Sequence, residues 1–333
     1  IQDLRQRIER GDLASGAGAI RSFDIAPAYL ERVTSGIRLA RPIRVAIDCG
    51  NGVAGAYAPE LYRRLGCDVV ELFCDVDGTF PNHHPDPSQP KNLEDLKRRL
   101  AQGDCELGLA FDGDGDRLGV VTPAGNVIYP DRQLMLFAAD VLSRVPGATI
   151  IYDVKSTRNL KPWIERHGGV PLLWKTGHSL IKAKMKEVGA ALAGEMSGHT
   201  FFGERWYGFD DGIYAGARLL EIVTRAANPA ALLDALPDAV STPELNLACA
   251  EGEQHALIAK LQAEARFPGA SDVIRIDGLR VEYADGFGLA RASNTTPMIV
   301  LRFEADDRAA LERIQREFHR VLTAAKPGLE LPF

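Results

Sequence analysis

The chain has 333 residues, of which 46% are hydrophobic, and this is enough apolar material for two or three domains with cores of their own. The formal net charge is −6 and no local basic cluster offsets it, so the composition argues against a nucleic-acid partner. No apolar run is long enough to cross a membrane and the chain does not open like a signal peptide, so we expect a cytoplasmic protein with no membrane partner.

Residues 1–23 differ from those that follow. Residue 1 is Ile rather than Met, and the stretch IQDLRQRIERGDLASGAG joins a short helix-like pattern to a glycine-rich end. We interpret the chain as part of a longer protein and assign residues 1–23 to the end of a preceding domain and its linker.

From residue 24 onward, short apolar stretches alternate with amphipathic stretches of helix length, which is typical of an α/β architecture. A first α/β domain is predicted over 24–126. Its strands are expected at Ile43–Asp48, Asp68–Phe73, Glu106–Phe111 and Leu118–Thr122, and its helices at Pro59–Leu65 and Asn92–Ala101.

A second α/β domain is predicted over 127–238, with the same alternation. Its helices are expected at Asp131–Leu142, Leu160–His167, Ser179–Val188 and Asp211–Ala226, and its strands at Thr149–Asp153, Pro171–Trp174 and Ala190–Ala193. The last part, 239–333, has a different order: a strand, a helix at Glu253–Ala265, three strands in succession and a helix at Asp307–Thr323. That order predicts a smaller α+β domain.

The stretch FDGDGDR at 111–117 places Asp112, Asp114 and Asp116 at alternate positions with only glycine between them. It lies between two apolar strands, where three unpaired carboxylates would be costly. A divalent cation would remove that cost, and an all-oxygen ligand set of short reach suits Mg²⁺. Arg117 follows directly and is placed to reach a phosphate beside the metal.

Two other kinds of loop also contain closely spaced aspartates. A solvated acidic turn needs no cation, and it stays open on the sequence alone. A calcium-binding EF-hand loop also begins D-x-D-x-D, but it requires Gly at its sixth position and Glu at its twelfth, where this chain has Arg117 and Pro123. The sequence therefore excludes an EF-hand and favours a magnesium site.

The stretch GNGVAG at 50–55 matches the G-x-G-x-x-G pattern of dinucleotide-binding folds and follows the strand-like IRVAID. In those folds the helix starts within the glycines, and Pro59 would then lie inside it and cost a backbone hydrogen bond. We therefore expect a tight turn and a helix with Pro59 in its first turn. A nicotinamide-dependent dehydrogenase remains an alternative, with binding of NAD(H) as its test.

Two further loops carry groups suited to a sugar phosphate. AGEMSGHTFF at 193–202 presents Glu195, Ser197 and His199 at alternate positions, so an extended loop would point all three to one side. These groups bind sugar hydroxyls, and His199 titrates near neutral pH and can move a proton. A polar loop with a hydrogen-bonded structural histidine would have the same sequence pattern.

The second of these loops, RASNTTP at 291–297, lies between two expected strands and offers a guanidinium, three hydroxyls, an amide and the N–H groups of a turn. Together these groups can hold an anion such as phosphate. An ordinary Asn-Thr turn remains the alternative.

The cysteines do not indicate disulfides or a thiolate metal site. They are odd in number, lie in or beside apolar strands and show no C-x-x-C spacing: Cys49, Cys67, Cys74, Cys105 and Cys249. We expect reduced thiols that pack in the core.

In their order and separations, FDGDGDR, GEMSGH and RASNTTP resemble the metal-binding, sugar-binding and phosphate-binding loops of the α-D-phosphohexomutases, and most closely the bacterial phosphomannomutase/phosphoglucomutase subfamily. The resemblance extends over essentially the whole chain and includes VDGTFPNHHPDP at 76–87, DVKST at 153–157, KTGHS at 175–179 and RWYGFDDG at 205–212. It implies that His83 and His84 belong to a structural loop rather than to a metal site.

The resemblance implies a four-domain protein of which this chain supplies a metal-binding domain (24–126), a sugar-binding domain (127–238) and a phosphate-binding domain (239–333). The first two would be related mixed-sheet α/β domains, and the third a smaller α+β domain of TATA-binding-protein-like fold. The implied reaction interconverts the 1-phosphates and 6-phosphates of mannose or glucose through a bisphosphorylated sugar and an active-site phosphoserine. The implied ligands are Mg²⁺, sugar phosphates and glucose 1,6-bisphosphate as intermediate or activator, and a monomer is expected.

The resemblance also implies a role for each candidate residue. Asp112, Asp114 and Asp116 would hold Mg²⁺, with Arg117 beside the phosphoserine. Two sugar hydroxyls would be bound by Glu195 and Ser197. The phosphate that does not react would be anchored by Arg291, Ser293, Asn294 and Thr295. Proton transfer or secondary phosphate contacts would be the role of Lys155, His178 and His199. Of the last group, Lys155 is expected to act through its charge rather than as a base.

One family motif does not occur in these residues. The phosphoserine loop has the form T-A-S-H-N-P in this subfamily, and the chain contains no such string. Ser197 and Ser293 belong to the sugar and phosphate loops and are not expected to replace it. We therefore expect these residues alone to bind metal and sugar phosphate without completing the transfer, and a non-catalytic binding fragment is the alternative function.

Overall fold

The computed structural model describes residues 2–333, which form three β-sheets with helices packed on them. Two helices precede the first strand, α1 (Gln2–Arg10) and α2 (Ala26–Gly36). Residues 3–10 of α1 are exposed, whereas Leu30 and Val33 of α2 are buried in the core of the first sheet.

The first sheet has the strand order β2-β1-β3-β4-β5. Its elements are β1 (Ile43–Asp48), α3 (Ala58–Arg64), β2 (Cys67–Leu72), α4 (Glu94–Leu100), β3 (Leu107–Phe111), β4 (Leu118–Val121) and β5 (Val127–Ile128). Strands β2, β1 and β3 are parallel, whereas β4 and β5 run antiparallel to their neighbours. Strand β3 is buried along its length, as expected for an apolar strand covered on both faces.

The second sheet repeats this arrangement with the order β7-β6-β8-β9, in which β7, β6 and β8 are parallel and β9 is antiparallel. Its strands are β6 (Thr149–Asp153), β7 (Val170–Trp174), β8 (Leu192–Gly194) and β9 (Thr200–Phe202). Its helices are α5 (Pro130–Arg144), α6 (Leu160–Arg166), α7 (His178–Val188), α8 (Gly212–Val223) and α9 (Pro229–Asp234). A single apolar core cluster includes residues of both sheets.

The third sheet is antiparallel, with the order β10-β15-β14-β13-β12, and β11 also pairs with β15. Its elements are β10 (Val240–Ser241), β11 (Leu245–Ala248), α10 (Glu253–Glu264), β12 (Asp272–Ile274), β13 (Leu279–Tyr283), β14 (Gly286–Ala292), β15 (Met298–Ala305) and α11 (Arg308–Ala325). Both helices pack on this sheet through a core cluster of its own that includes Leu261, Phe303 and Phe318.

The predicted fold class is confirmed, and each strand and helix predicted over 24–238 is present within a few residues of its expected bounds. The count of three strands after the helix at 253 was wrong, because the short edge strand β12 precedes β13, β14 and β15. The short strands β5 and β9 and the helices α2 and α9 were not predicted. No helix described within 2–333 combines the length and apolar composition that a membrane crossing requires.

The GNGVAG stretch is a turn, as predicted. It passes through a 3₁₀ helix at Val53–Ala56, and α3 begins only at Ala58 with Pro59 in its first turn. Because no α-helix starts within the glycines, the stretch lacks the feature with which a dinucleotide-binding turn holds a pyrophosphate.

Candidate active site

The FDGDGDR stretch at 111–117 (the metal loop) and the GEMSGH stretch at 194–199 (the sugar loop) meet where parallel strands of the first two sheets end. Arg117 and His199 form an antiparallel bridge, and the N–H of Leu118 donates to the carbonyl of Gly198 at 3.3 Å. The N–H of Gly212, the first residue of α8, donates to the carbonyl of Gly115 at 3.0 Å. Backbone hydrogen bonds therefore hold the two loops in register across the boundary between the two sheets.

The three carboxylates of FDGDGDR converge. One ligand oxygen from each of Asp112, Asp114 and Asp116 lies within 4.8 Å of the other two. Asp112 is buried, Asp116 is half-buried and Asp114 is exposed. Oδ1 of Asp116 is buried and accepts no well-directed hydrogen bond from residues 2–333, although Nε2 of His199 lies 3.3 Å away. Three converging carboxylates, one of which has a buried oxygen with no well-directed hydrogen bond, fit a bound divalent cation.

The glycine turn at 50–55 supports this loop, which the sequence did not suggest. The N–H of Val53 donates to the carbonyl of Gly113 at 3.0 Å. A Cβ atom added to Gly52 would lie 2.8 Å from that same carbonyl oxygen and 2.9 Å from the carbonyl oxygen of Asp112. Glycine is required here because two backbone segments are in direct contact.

Arg117 is already bound by carboxylates. Its Nε donates to Oδ2 of Asp112 at 2.6 Å and its backbone N–H donates to Oδ1 of the same residue at 3.0 Å. Its guanidinium also donates to Asp86 at 3.1 Å. Asp86 lies in the VDGTFPNHHPDP stretch and was not predicted as a site residue. These bonds fix the direction of a cation that is only partly exposed beside the metal loop.

Glu195, Ser197 and His199 lie together, but on a tight turn rather than an extended loop. The N–H of Glu195 donates to the carbonyl of His199 at 3.0 Å, which closes the turn. Nδ1 of His199 lies 2.9 Å from Oγ of Ser197 and 3.2 Å from Oε2 of Glu195. Burial would lower the pKa of His199, but the carboxylates of Asp116 and Glu195 outweigh it and raise the pKa to about 9.

His178 is brought to the same place by the start of α7. Its ring stacks on that of His199 with a centroid distance of 5.9 Å. Just before it, the N–H of Gly177 donates to Oε1 of Glu195 at 2.6 Å. The KTGHS stretch is thus attached to the sugar loop by a hydrogen bond and a ring contact.

Asp153, at the end of β6, connects three loops and was not predicted as a site residue. Its carboxylate is fully buried, and Oδ1 accepts hydrogen bonds from Oγ of Ser156 at 2.7 Å and from the N–H of Met196 at 3.3 Å. Its Oδ2 accepts a bond from Oγ1 of Thr176 at 3.0 Å. The three donors belong to the DVKST, GEMSGH and KTGHS stretches, so Asp153 fixes their relative positions.

The RASNTTP loop reaches the site through a carboxylate on the neighbouring turn. Nε of Arg291 donates to Oδ2 of Asp277 at 3.1 Å, and the N–H of Thr176 donates to the same oxygen at 2.9 Å. Oγ of Ser293 lies 2.9 Å from Oγ1 of Thr296 and is engaged within the turn, whereas Asn294 and Thr295 are exposed. The arginine is thereby held at the junction of the second and third sheets.

Lys155 lies apart from these contacts. Its buried ammonium group donates to Oε2 of Glu244 at 2.9 Å, on the segment that enters the third sheet.

His83 lies outside the candidate set, and its Nε2 is 3.1 Å from both carboxylate oxygens of Asp48. The hydrogen bond to Asp48 raises the pKa of His83 to about 9. Backbone and side-chain contacts link the FDGDGDR, GEMSGH and KTGHS stretches to one another and, through Asp277, to Arg291.

Three family models match consecutive parts of the chain. They are described as "Phosphoglucomutase/phosphomannomutase, alpha/beta/alpha domain II", over residues 27–125, "alpha/beta/alpha domain III", over 129–240, and "C-terminal domain", over 244–321. A phosphoglucomutase of Neisseria meningitidis serogroup A is 60% identical, over 100% of this chain and 73% of the relative. A phosphomannomutase/phosphoglucomutase of Pseudomonas aeruginosa PAO1 is 56% identical, over 100% of this chain and 72% of the relative.

Solved structures agree with these matches. A phosphoglucomutase/phosphomannomutase family protein of Burkholderia thailandensis has a TM-score of 0.95 and 62% identity, over 100% of this chain and 71% of that chain. The N-acetylphosphoglucosamine mutase of Aspergillus fumigatus, in complex with GlcNAc-6P and magnesium, has a TM-score of 0.60 and 16% identity, over 90% of this chain and 68% of that chain. At that identity the fungal structure shows a shared fold only.

Proposed function

This chain belongs to the phosphoglucomutase/phosphomannomutase family and is a phosphohexomutase, and on that premise we propose which ligand group each of its loops binds. The substrates are the 1-phosphate and 6-phosphate of mannose or glucose. They interconvert through a bisphosphorylated sugar, which is glucose 1,6-bisphosphate when the sugar is glucose. The phosphoryl donor is the phosphoserine that the family resemblance implies, and Ser197 and Ser293, which belong to the sugar and phosphate loops, do not replace it.

Asp112, Asp114 and Asp116 hold Mg²⁺, and Arg117 faces the reacting phosphate beside it. The convergence of three carboxylates and the buried oxygen of Asp116 without a directed donor support this assignment. Bound there, Mg²⁺ would neutralise charge on the phosphoryl group during its transfer. The fungal mutase that binds magnesium and GlcNAc-6P on the same fold supports the same classes of ligand here.

Glu195 and Ser197 bind two sugar hydroxyls, and both are fixed before the sugar arrives. Glu195 is oriented by the N–H of Gly177, and Ser197 by Nδ1 of His199. Since these two residues address a pair of adjacent hydroxyls rather than a phosphate, they can hold the sugar in either of the two orientations that the reaction requires.

The RASNTTP loop anchors the phosphate that does not react. Arg291 supplies the charge, exposed Asn294 and Thr295 supply donors, and Ser293 shapes the turn. The carboxylate of Asp277 accepts the hydrogen bond from Nε of Arg291, and a bound phosphate would share that donor or take the place of the carboxylate.

His199 and His178 manage protons at the sugar oxygens. His199 contacts Ser197 and Glu195 through Nδ1 and is placed to donate a proton to a sugar oxygen that loses its phosphoryl group. His178 lies on the same side by ring stacking. Lys155 contributes positive charge, and its bond to Glu244 places that charge at the entrance to the third sheet.

The observation that carries this proposal is the continuous contact of the metal, sugar and phosphate loops across three sheets. It is tested by turnover of glucose 1-phosphate in the full-length protein with Mg²⁺ and glucose 1,6-bisphosphate, with glucose 6-phosphate detected by a coupled dehydrogenase. Glu195→Gln preserves shape and removes charge, and we expect kcat/KM to fall about 100-fold, or about 2.7 kcal/mol. The matched control is Glu251→Gln, at an exposed position away from the loops.

Two results would contradict the proposal. Equal kcat/KM in the Glu195→Gln variant and the wild type would remove Glu195 from the sugar site. Saturable binding of glucose 1-phosphate without turnover in the full-length protein would instead support the alternative, a non-catalytic binding protein.

A further inference from the structure

Two cysteines that are far apart in sequence lie in contact beside the metal loop. Sγ of Cys74 is 3.5 Å from Sγ of Cys49. Cys49 directly follows β1 and Cys74 lies two residues beyond β2, and these strands are parallel neighbours. The N–H of Cys49 donates to the carbonyl of Leu72 at 3.1 Å, so strand pairing continues up to the two thiols. Both cysteines are free.

We propose that Cys49 and Cys74 form a reversible disulfide under oxidation by peroxide, and that this bond weakens metal binding at the adjacent FDGDGDR loop. A disulfide requires a sulfur–sulfur distance of about 2.05 Å, so the two atoms must approach by roughly 1.5 Å. Because Asp48 pairs with Leu72, Cys49 and Cys74 are diagonal neighbours just beyond the ends of two adjacent parallel strands. Rotation of the side chains and a small backbone movement are enough to close the bond.

The two thiols differ in access, which sets the order of the reaction. Cys74 is half-buried, whereas Cys49 is fully buried. The interaction with Cys74 and the burial of the sulfur both raise the pKa of Cys49, so Cys49 stays protonated and does not react first. Cys74 is therefore the thiol that meets an oxidant, and Cys49 is the thiol that closes the disulfide.

The chemistry balances with hydrogen peroxide as oxidant. The Cys74 sulfur attacks one peroxide oxygen, the O–O bond breaks, and a sulfenic acid forms while the released hydroxide takes the thiol proton to become water. The Cys49 sulfur then attacks the Cys74 sulfur, and its proton leaves with the sulfenic hydroxyl as a second water. Two thiols lose two hydrogens in total, and one peroxide becomes two waters.

The backbone around the pair leads directly to the metal loop. Asn51 donates its N–H to the carbonyl of Phe73 at 2.7 Å and its side-chain amide to the carbonyl of Asp75 at 2.7 Å, on either side of Cys74. A Cβ atom added to Gly55 would lie 2.0 Å from the carbonyl oxygen of Cys74, so these two backbones have no space between them. The same turn contacts the metal loop through the bond from Val53 to Gly113.

Movement of Cys74 toward Cys49 therefore displaces the turn at 50–55, and the turn displaces Gly113 between two of the carboxylates. Asn51 and Phe73 both have positive φ values, 63° and 50°, so this segment has little freedom to absorb the change elsewhere. We expect the disulfide to lower the affinity of the carboxylates for Mg²⁺ because it spreads a site that requires close convergence.

The first experiment detects the bond itself and is independent of activity. The full-length protein, freed of reductant, is treated with hydrogen peroxide, alkylated and digested without reduction. We expect a Cys49–Cys74 linked peptide and an intact mass lower by two hydrogens, both reversed by dithiothreitol. Cys74→Ser and Cys49→Ser should not show the mass loss, whereas Cys249→Ser, which changes a half-buried thiol on the third sheet, should show it as the wild type does.

The second experiment measures Mg²⁺ binding by calorimetry in the reduced and oxidised protein. We expect the Kd to rise about tenfold on oxidation in the wild type and in Cys249→Ser, and to stay constant in Cys74→Ser. Peroxide treatment that oxidises other thiols without a Cys49–Cys74 linkage would overturn the proposed bond. A linkage that leaves the Kd for Mg²⁺ unchanged would overturn the proposed coupling, and neither result depends on sugar turnover.

Discussion

Replacement of Asp153 should disturb the active site without removal of any group that contacts the ligands. Its buried carboxylate accepts hydrogen bonds from Ser156, Met196 and Thr176, which lie on three different loops. Each hydrogen bond to a charged acceptor contributes about 1.5–3 kcal/mol, offset in part by the cost of a buried charge. We therefore expect Asp153→Ala to cost about 2–4 kcal/mol, most of it as loss of order in the three loops.

Asp153→Asn separates the charge from the geometry. The amide keeps the oxygen that faces Ser156 and Met196, and its NH₂ can donate to the hydroxyl of Thr176, so only the charge is lost at a cost of about 1–2 kcal/mol. We expect kcat/KM for glucose 1-phosphate to fall about 100-fold in Asp153→Ala and about tenfold in Asp153→Asn, since about 1.4 kcal/mol corresponds to tenfold. The control is Asp68→Asn, whose carboxylate is exposed on β2.

The Mg²⁺ dependence distinguishes this positioning role from general damage. Asp153 makes no described contact with Asp112, Asp114 or Asp116, so the Mg²⁺ concentration for half-maximal activity should stay constant in both variants. Asp153→Ala with kcat/KM within threefold of the wild type would refute the reasoning, and so would equal losses in the Ala and Asn variants.

Three further predictions address the metal loop, the phosphate anchor and the pH dependence of stability. Asp114→Asn should raise the Mg²⁺ concentration for half-maximal activity at least about tenfold, while calorimetry should still detect binding of glucose 1-phosphate. An unchanged Mg²⁺ dependence would exclude Asp114 as a ligand. Asp277→Asn should lower the KM for glucose 1-phosphate about threefold or more, because the phosphate would no longer compete with a carboxylate for Arg291. A higher KM would instead mean that Asp277 positions the guanidinium. Since the pKa of His83 is raised to about 9, its bond to Asp48 stabilises the fold fully below pH 6.5 and is lost as pH rises through 9. The free energies of unfolding measured in urea for the wild type and His83→Gln should differ by about 1–2 kcal/mol at pH 6 and converge above pH 9, and a constant difference would contradict the ion pair.

The convergence of the three carboxylates could be predicted from sequence because these residues are local. Asp112, Asp114 and Asp116 lie within five residues, and the apolar strands on both sides show in the sequence itself. The residues that were missed act over long sequence separations. Asp277 reaches Thr176 and Asp153 reaches Met196 only after whole strands and helices have been placed. No periodicity or spacing reports such contacts, although Asp153 begins a stretch, DVKST, that already resembled the family.

The strands show the same contrast between local patterns and long-range contacts. Strand β3, which is covered on both faces, is a continuous apolar run and was predicted within one residue of its ends. The two-residue strand β5 and the three-residue strands β9 and β12 carry too few residues for a pattern, and pairing with a neighbour defines them. The contact of Cys49 with Cys74 is of the same kind, because it depends on the register of β1 with β2 rather than on any spacing in the sequence.

The cores and the site contacts together indicate how the three sheets are held relative to one another. The first two sheets share one apolar core, so the metal and sugar loops stay fixed relative to each other. The third sheet has its own core and joins the second through buried contacts. Arg280 donates to the carbonyls of Val154 and Ser156 at 2.7 Å, and Val154 packs with Phe287 and Leu289.

On the side of the candidate site, polar contacts also join the second and third sheets. The N–H of Thr176 donates to Asp277, and the buried ammonium group of Lys155 donates to Glu244. Further buried contacts pair Thr157 with Glu304 and Arg302 with Asp131. Because Arg291 is bound to the same carboxylate as Thr176, its position relative to the KTGHS stretch depends on how these two sheets pack and not on the RASNTTP loop alone.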